Sequence, residues 1–256
     1  MDKLSWPEHL WIVRHGQSAG NVASDVAEAS GRTRISLDTR DVDVPLSDLG
    51  HKQVAALGQW FAGLPKDSRP DVVLSSPFLR ARQTAEVISA ALGNRGHHLS
   101  DERLREREFG ILDQLTRAGV SEFHPDQAAS LTMLGKFYHR PPGGESWTDV
   151  ILRLRGLLDT ISLHHSGRRV LVVAHQVVVL CLRYILEDLD EAGILAIDRM
   201  GDVANCSVTE YDFRAGESGR CQPHLIRYNH IAATPQGPGR LKTPVTSAPD
   251  KPVAAE

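Results

Sequence analysis

Leu10-Trp11-Ile12-Val13-Arg14-His15-Gly16-Gln17-Ser18 is an apolar run that stops abruptly at an Arg-His-Gly corner. Such a run reads as a strand buried in the middle of a sheet. Open α/β folds keep their ligands beyond the carboxyl edge of their strands, and this corner sets a cation, an imidazole and a residue without a Cβ at that edge. The combination points to phosphate chemistry, with histidine attacking and arginine clamping. Taken alone, the tripeptide is equally compatible with a solvated Arg-His pair at an ordinary strand end, so the rest of the chain has to decide.

Further apolar runs at Val72 to Ser75 and Val170 to Ala174 alternate with amphipathic segments. This alternation predicts an α/β fold, a three-layer α/β/α sandwich with a mostly parallel central sheet. Ser47 is a candidate N-cap for a helix whose apolar face is Val54, Leu57, Phe61 and Leu64. Ser76-Pro77 is read as opening a second helix with Pro in the first position and Ala81, Ala85, Ile88 and Leu92 on its inner face. Ser146 with Asp149 forms a capping-box variant ahead of Val150, Leu154, Leu157 and Ile161. Ser207 to Phe213 and His224 to Tyr228 alternate like half-buried strands and are expected to close one sheet edge.

Two loop-rich stretches interrupt this pattern. One is Ser24 to Val44, with Arg32, Arg34 and Arg40; the other is Leu112 to Gly144, with helical pieces of its own. Insertions of this size beside an active edge are expected to be lids or substrate-selecting caps. From Thr234 onward, prolines sit among Gly, Ala, Thr and Ser with almost no large apolar residue, a composition that cannot offset its own ordering entropy. The expected organisation is one domain over 1–231, a helical cap around 112–144, and a disordered Pro-rich tail over 232–256.

The 256 residues are 41% hydrophobic and 24% charged, with a formal net charge of -3, so nothing announces nucleic acid or a membrane surface. Any basic patch is local, which favours a small anionic ligand. Cys181, Cys206 and Cys221 are odd in number and widely spaced, suggesting neither a disulfide framework nor a zinc site. With no signal-peptide h-region and no long apolar span, a cytoplasmic location is expected.

Three more segments carry candidate chemistry. Ser75-Ser76-Pro77-Phe78-Leu79-Arg80-Ala81-Arg82-Gln83-Thr84-Ala85 places Arg80 in the first turn of a helix that follows a strand, where a guanidinium and free N–H groups can address one phosphate. Arg82 projects elsewhere. The strand Val170 to Ala174 ends in His175-Gln176 and so repeats the layout of the first. Leu104-Arg105-Glu106-Arg107-Glu108-Phe109-Gly110 offers a carboxyl group, but nothing local separates Glu106 from Glu108. His164-His165 point away from each other on a helix and read as surface, near a helix C-terminus.

Together these segments resemble the histidine phosphatase superfamily, the phosphoglycerate-mutase-like proteins. The likeness rests on the Arg-His-Gly-x-Ser corner with Asn21 after it, Val44-Pro45-Leu46-Ser47-x-x-Gly50, Ser-Pro-x-x-Arg-Ala-x-Gln-Thr-Ala, Leu-x-Glu-x-x-x-Gly and the late strand-His. The resemblance implies a phosphoglycerate mutase-like fold, His15 as the phosphorylated nucleophile, Glu106 as general acid and base, and Arg14, Arg80 and His175 as a phosphate clamp that Asn21 joins. It implies no metal and no cofactor. Lys136-Phe137-Tyr138-His139-Arg140-Pro141-Pro142-Gly143-Gly144-Glu145-Ser146 and His175-Gln176 are similar to the fructose-2,6-bisphosphatase branch, which would make Gln176, Lys136 and Arg140 substrate-binding.

Where that branch is expected to carry two further arginines, this chain has Thr132 and Leu180; Arg183 is either a substitute or a surface cation. The kinase half of the bifunctional enzymes is absent from this sequence. The expected activity is hydrolysis of a small phosphorylated metabolite, with no nucleic acid or membrane partner and a homodimer left open. A cofactor-dependent mutase would use the same residues, but its longer basic insertion is not found between Asp113 and Gly144. An inactive module that binds a phosphorylated ligand is the remaining alternative.

Overall fold

A computed structural model describes residues 6–93, 97–215 and 221–232. The described residues build a six-stranded sheet from β1 (His9–Arg14), β2 (Val72–Ser75), β3 (His97–Ser100), β4 (Arg169–Ala174), β5 (Ser207–Ala215) and β6 (Cys221–Ile231), in the order β3-β2-β4-β1-β5-β6. β3, β2, β4 and β1 run parallel, while β5 and β6 are antiparallel additions that complete one edge. Around the sheet pack α1 (Ala19–Ala29), α2 (Asp48–Gly63), α3 (Leu79–Ala91), α4 (Arg117–Phe123), α5 (Pro125–Tyr138), α6 (Trp147–His164), α7 (Gln176–Leu186) and α8 (Glu191–Arg199).

Period-two alternation in the central strands assigns the layers. Leu10, Ile12, Val170 and Val172 pack with α6 and α7 on one face, where Leu154, Leu157 and Ile161 are fully buried. Each such side chain contributes roughly 1.5–3 kcal/mol by leaving water. Trp11, Val13, Leu171 and Val173 pack on the other face against Val54, Leu57 and Phe61 of α2 and Ala81, Ala85 and Ile88 of α3. The result is the expected three-layer α/β/α sandwich. Among the described residues no helix is long and apolar enough to cross a membrane.

Several elements differ from the sequence expectation. The second helix begins at Leu79 with Phe78 as its N-cap residue, not at Ser76-Pro77. Ser76 is diverted by the sheet edge: its hydroxyl accepts the Phe78 N–H at 3.2 Å and meets His175 Nε2 at 2.8 Å. The stretch read as loop from Ser24 starts inside α1, which a Ser18–Asn21 capping box initiates. Ala27 alone is buried in that helix, while Val22 and Val26 are exposed. β3 is a short edge strand whose Leu99 is exposed, and it carries no readable alternation. The stretch over 112–144 does hold α4 and α5. The tail expected from Thr234 onward lies outside the described residues.

The start of α2 closes directly on the Arg-His-Gly corner. Ser47 N–H donates to Gln17 O at 2.9 Å, the Ser47 hydroxyl to Gln17 Oε1 at 2.7 Å, and Gln17 N–H to Gln53 Oε1 at 2.8 Å. A Cβ on Gly50 would lie 2.0 Å from Gln17 O, where only hydrogen fits. Gly50→Ala is therefore expected to cost about 1–3 kcal/mol of stability and several degrees of melting temperature. Calorimetry checks this, and an unchanged melting temperature would contradict the close approach.

Candidate active site

Register places the chemistry. β2, β4 and β1 are adjacent and parallel, with Arg14 opposite Ala174 and Val173 opposite Ser75, so the residues that follow each strand emerge at one edge. Those residues are His15, Ser76 and His175. His15 N–H continues the ladder to Ala174 O at 3.0 Å, and Ser76 N–H to Val173 O at 3.0 Å. The two imidazole rings sit edge to face with centroids 5.1 Å apart.

His15 is 2% exposed. Its Nδ1 lies 2.7 Å from Gly16 O, and because a carbonyl only accepts, Nδ1 carries the hydrogen and Nε2 keeps its lone pair. Arg80 Nε–H donates to that Nε2 at 3.3 Å. Burial pushes the His15 imidazolium well below its usual range, and the Arg80 and Arg14 charges push the same way. A neutral imidazole results. Arg14 is anchored through Val203 O, while its Nε is buried without a protein hydrogen-bond partner in the described structure.

His175 is fully buried, with Nε2 on the Ser76 hydroxyl and the Phe78 ring edge on at 5.2 Å. Burial, reinforced by Arg80, holds it neutral too, well below the usual histidine range. Its Nδ1 lies 3.7 Å from Glu106 Oε2. Burial raises the Glu106 carboxyl above its ordinary value, against the pull of the Arg107 N–H, Arg80 and Arg14; Asp41 adds to the rise. Glu106 and Glu108, indistinguishable in sequence, separate here: Glu106 faces His175, whereas Glu108 is exposed on the wall of a neighbouring cavity.

A second carboxylate fastens the strand of chain that carries Glu106. Glu145 accepts Arg105 Nη2 at 2.8 Å, Arg153 Nε at 2.9 Å and the Glu108 N–H at 3.1 Å, while Arg153 Nη2 reaches Glu106 O at 3.3 Å. The adjoining cavity, about 380 Å³, is lined by Asp41, Phe78, Arg105, Arg107, Glu108 and Asp113 among others. Arg80 Nη1 and Nη2 are engaged by the Asp41 carboxylate at 2.9 and 3.1 Å.

His15, Arg14, Arg80, His175 and Glu106 thus lie together in one cluster, whereas the remaining sequence candidates are distributed around it. Asn21 Oδ1 accepts the Ser18 N–H at 3.0 Å and Asn205 Nδ2 at 3.3 Å; Asn205 also donates to His15 O at 3.0 Å, so Asn21 stands one residue removed from the corner. Gln176 Nε2 donates to Asp202 Oδ1 at 2.8 Å. Lys136 Nζ pairs with Asp198 at 2.5 Å, and Arg140 Nε reaches Gly144 O at 3.1 Å and Asp149 at 3.4 Å. Arg183 is buried, bonded to both oxygens of Glu187 and stacked over Tyr228. It is therefore no surface cation, and its charge is already matched.

Sequence reasoning passed over Ser76, Asn205, Glu145 and Asp41 as site residues. Ser76 had a signal, since it follows its strand as the histidines follow theirs. Asp41 had none, being one acid in an irregular stretch. Among the described residues no group of three or more His, Cys, Asp or Glu gathers as a metal site, and Cys181, Cys206 and Cys221 are free.

Comparison with known proteins finds relatives of both phosphatase and phosphoglycerate mutase-like kinds. A bifunctional protein of Mycobacterium tuberculosis is 31% identical over 212 residues, covering 80% of this chain and 50% of its own length. A fructose-2,6-bisphosphatase of Danio rerio is 34% identical over 157 residues, covering 59% of this chain and 52% of its own. The chain thus spans about half the length of these curated relatives. A mycobacterial glucosyl-3-phosphoglycerate phosphatase, solved with inorganic phosphate, superposes with a TM-score of 0.66 at 26% identity, covering 88% of this chain and 98% of that one. The sequence profile of the histidine phosphatase superfamily (branch 1) matches residues 10–222, and the chain belongs to that superfamily.

Proposed function

We propose that this protein is a cytoplasmic, metal-independent phosphomonoesterase that hydrolyses a small phosphorylated metabolite through a phosphohistidine on His15. The observation that carries the reading is the neutral His15 ring, whose Nε2 lone pair is turned toward Arg80 with His175 and Glu106 alongside. A phosphate monoester dianion repels anionic nucleophiles, so a neutral imidazole held between two guanidinium groups is a suitable attacker.

In the first half-reaction His15 Nε2 bonds to phosphorus as the P–O bond to the leaving group breaks. Glu106, whose carboxyl burial raises above its ordinary value, gives its proton to the departing alkoxide. In the second half-reaction the Glu106 carboxylate takes a proton from water, whose oxygen attacks phosphorus, and the P–N bond breaks to return neutral His15 and free phosphate. Arg14, Arg80 and the His175 N–H balance the charge on the phosphoryl oxygens throughout. Asn21 supports the corner through Asn205, and Gln176, next in the chain to His175, is bonded to Asp202.

A single phosphate is the favoured substrate feature. Thr132 and Leu180 replace two cations of the bisphosphatase pattern, and Lys136, Arg140 and Arg183 are paired with Asp198, Asp149 and Glu187. The structural relative's activity on a phosphorylated sugar acid supports hydrolysis. The test is a panel of sugar phosphates, phosphorylated sugar acids and nucleotides, scored for free phosphate alongside interconversion of 2- and 3-phosphoglycerate. Phosphate release is expected to dominate. Interconversion without release would overturn the reading in favour of a mutase, and release from none of the panel would favour a binding module.

A further inference from the structure

A guanidinium offers five N–H donors. In Arg80, Nε–H is given to His15 Nε2 at 3.3 Å, Nη1 donates to Asp41 main-chain O at 2.6 Å and to Asp41 Oδ1 at 2.9 Å, and Nη2 donates to Asp41 Oδ2 at 3.1 Å. Both carboxylate oxygens therefore occupy the fork, in the two-point geometry by which arginine also recognises phosphate. A phosphoryl group cannot take that hold from Arg80 while Asp41 keeps it.

The two partners are not equally placed. The Arg80 side chain is 6% exposed, and its Nε is fixed on the nucleophile, whereas the Asp41 side chain is 41% exposed. Asp41 lies in a one-turn 3-10 segment, Asp41–Asp43, and also lines the cavity of about 380 Å³ beside the pocket. The acid is thus the partner with room to leave. Its neighbour Asp43 is engaged differently, with the exposed Arg40 at 2.7 Å.

Resting on the reading of Arg80 as a phosphoryl clamp, we propose that Asp41 is a positioning residue and a built-in competitor for the phosphoryl group. In the free protein its carboxylate keeps Arg80 aligned on His15; the substrate phosphoryl group displaces it, and its return helps expel product phosphate. Every anion that binds the fork first has to break the Arg80–Asp41 pair, which weakens the apparent affinity by the population of that pair.

The experiment measures inorganic phosphate binding by titration calorimetry on the full chain and on Asp41→Asn, Asp41→Ser and Asp43→Asn. A partly exposed pair of this kind should, when its charge is removed, tighten phosphate binding about fivefold to tenfold in both Asp41 variants. KM for a phosphomonoester falls in parallel and kcat does not rise, while Asp43→Asn matches wild type. Phosphate affinity that is unchanged or weaker in folded Asp41→Asn or Asp41→Ser overturns the proposal, because a purely supporting residue would loosen binding when lost. A crystal structure of the unaltered chain with phosphate bound gives a reading independent of any variant: Asp41 is expected off the Arg80 fork, and a carboxylate still bidentate there overturns the proposal. Unaltered protein that hydrolyses and binds phosphate no less tightly than the Asp41 variants sinks this inference alone. Protein that neither binds phosphate nor hydrolyses sinks the phosphatase reading with it.

Discussion

His15→Ala is expected to abolish turnover, with a loss of at least about 10⁴-fold in kcat, the scale seen when a covalent nucleophile is removed. No neighbour can stand in for it. His175 is 5.1 Å away ring to ring, and its Nε2 is held by Ser76. The variant should still fold, because the ring makes two hydrogen bonds, one given to Gly16 O and one accepted from Arg80 Nε–H, and leaving either partner unsatisfied costs about 1–3 kcal/mol. It should also still bind phosphate, since Arg14, Arg80 and His175 remain. Acid-labile ³²P trapped from labelled substrate on the unaltered chain, and absent from His15→Ala, is the corresponding chemical result. Normal turnover by the variant would refute the nucleophile assignment.

The central strands were legible because each is buried on both faces and ends abruptly in a polar residue. Trp11 and Val13 alternate with Leu10 and Ile12 across the sheet, yet all four are apolar, so the run announced a parallel strand without revealing which face met which helix. The convergence of His15 with His175 was legible for the same reason: two strands of like character, each followed by histidine, had to share an edge if they were parallel. Glu106 was legible only through resemblance. Its position depends on Glu145 and Arg153, distant in sequence, and no local spacing encodes that tether. Asp41 and β3 escaped altogether, because one acid among several in a non-repetitive stretch and a short edge strand carry no periodic signal.

Glu106→Gln is the second large effect, and its size should depend on the leaving group. With alkyl phosphates the alkoxide needs a proton as it departs, so loss of the acid is expected to cost about 10²–10⁴-fold in kcat. With nitrophenyl phosphate the leaving group departs as a stable anion, and the first half-reaction should be slowed far less. The pH profile carries the same signature. Burial raises the Glu106 carboxyl above its ordinary 4.5 and depresses His15 well below its ordinary 6.5, so the active form has the acid protonated and the imidazole neutral. The rate on alkyl phosphates should therefore fall toward acid with a limb below 6.5, and fall toward alkali with a limb above 4.5. Only the second limb should vanish in Glu106→Gln. Stability follows the same proton balance, in two directions. The unfolded chain protonates His15 and His175 below 6.5 while the folded chain keeps them neutral, so stability is lost as pH falls through that range. The unfolded chain ionises Glu106 from 4.5 upward while the folded chain holds its proton, so that residue costs stability as pH rises, and Glu106→Gln should relieve the cost at neutral pH. Steady-state rates on paired alkyl and nitrophenyl phosphates, with melting temperatures across the same buffers, decide the matter: an equal loss on both substrates, with the alkaline limb intact, would show that some other group delivers the proton.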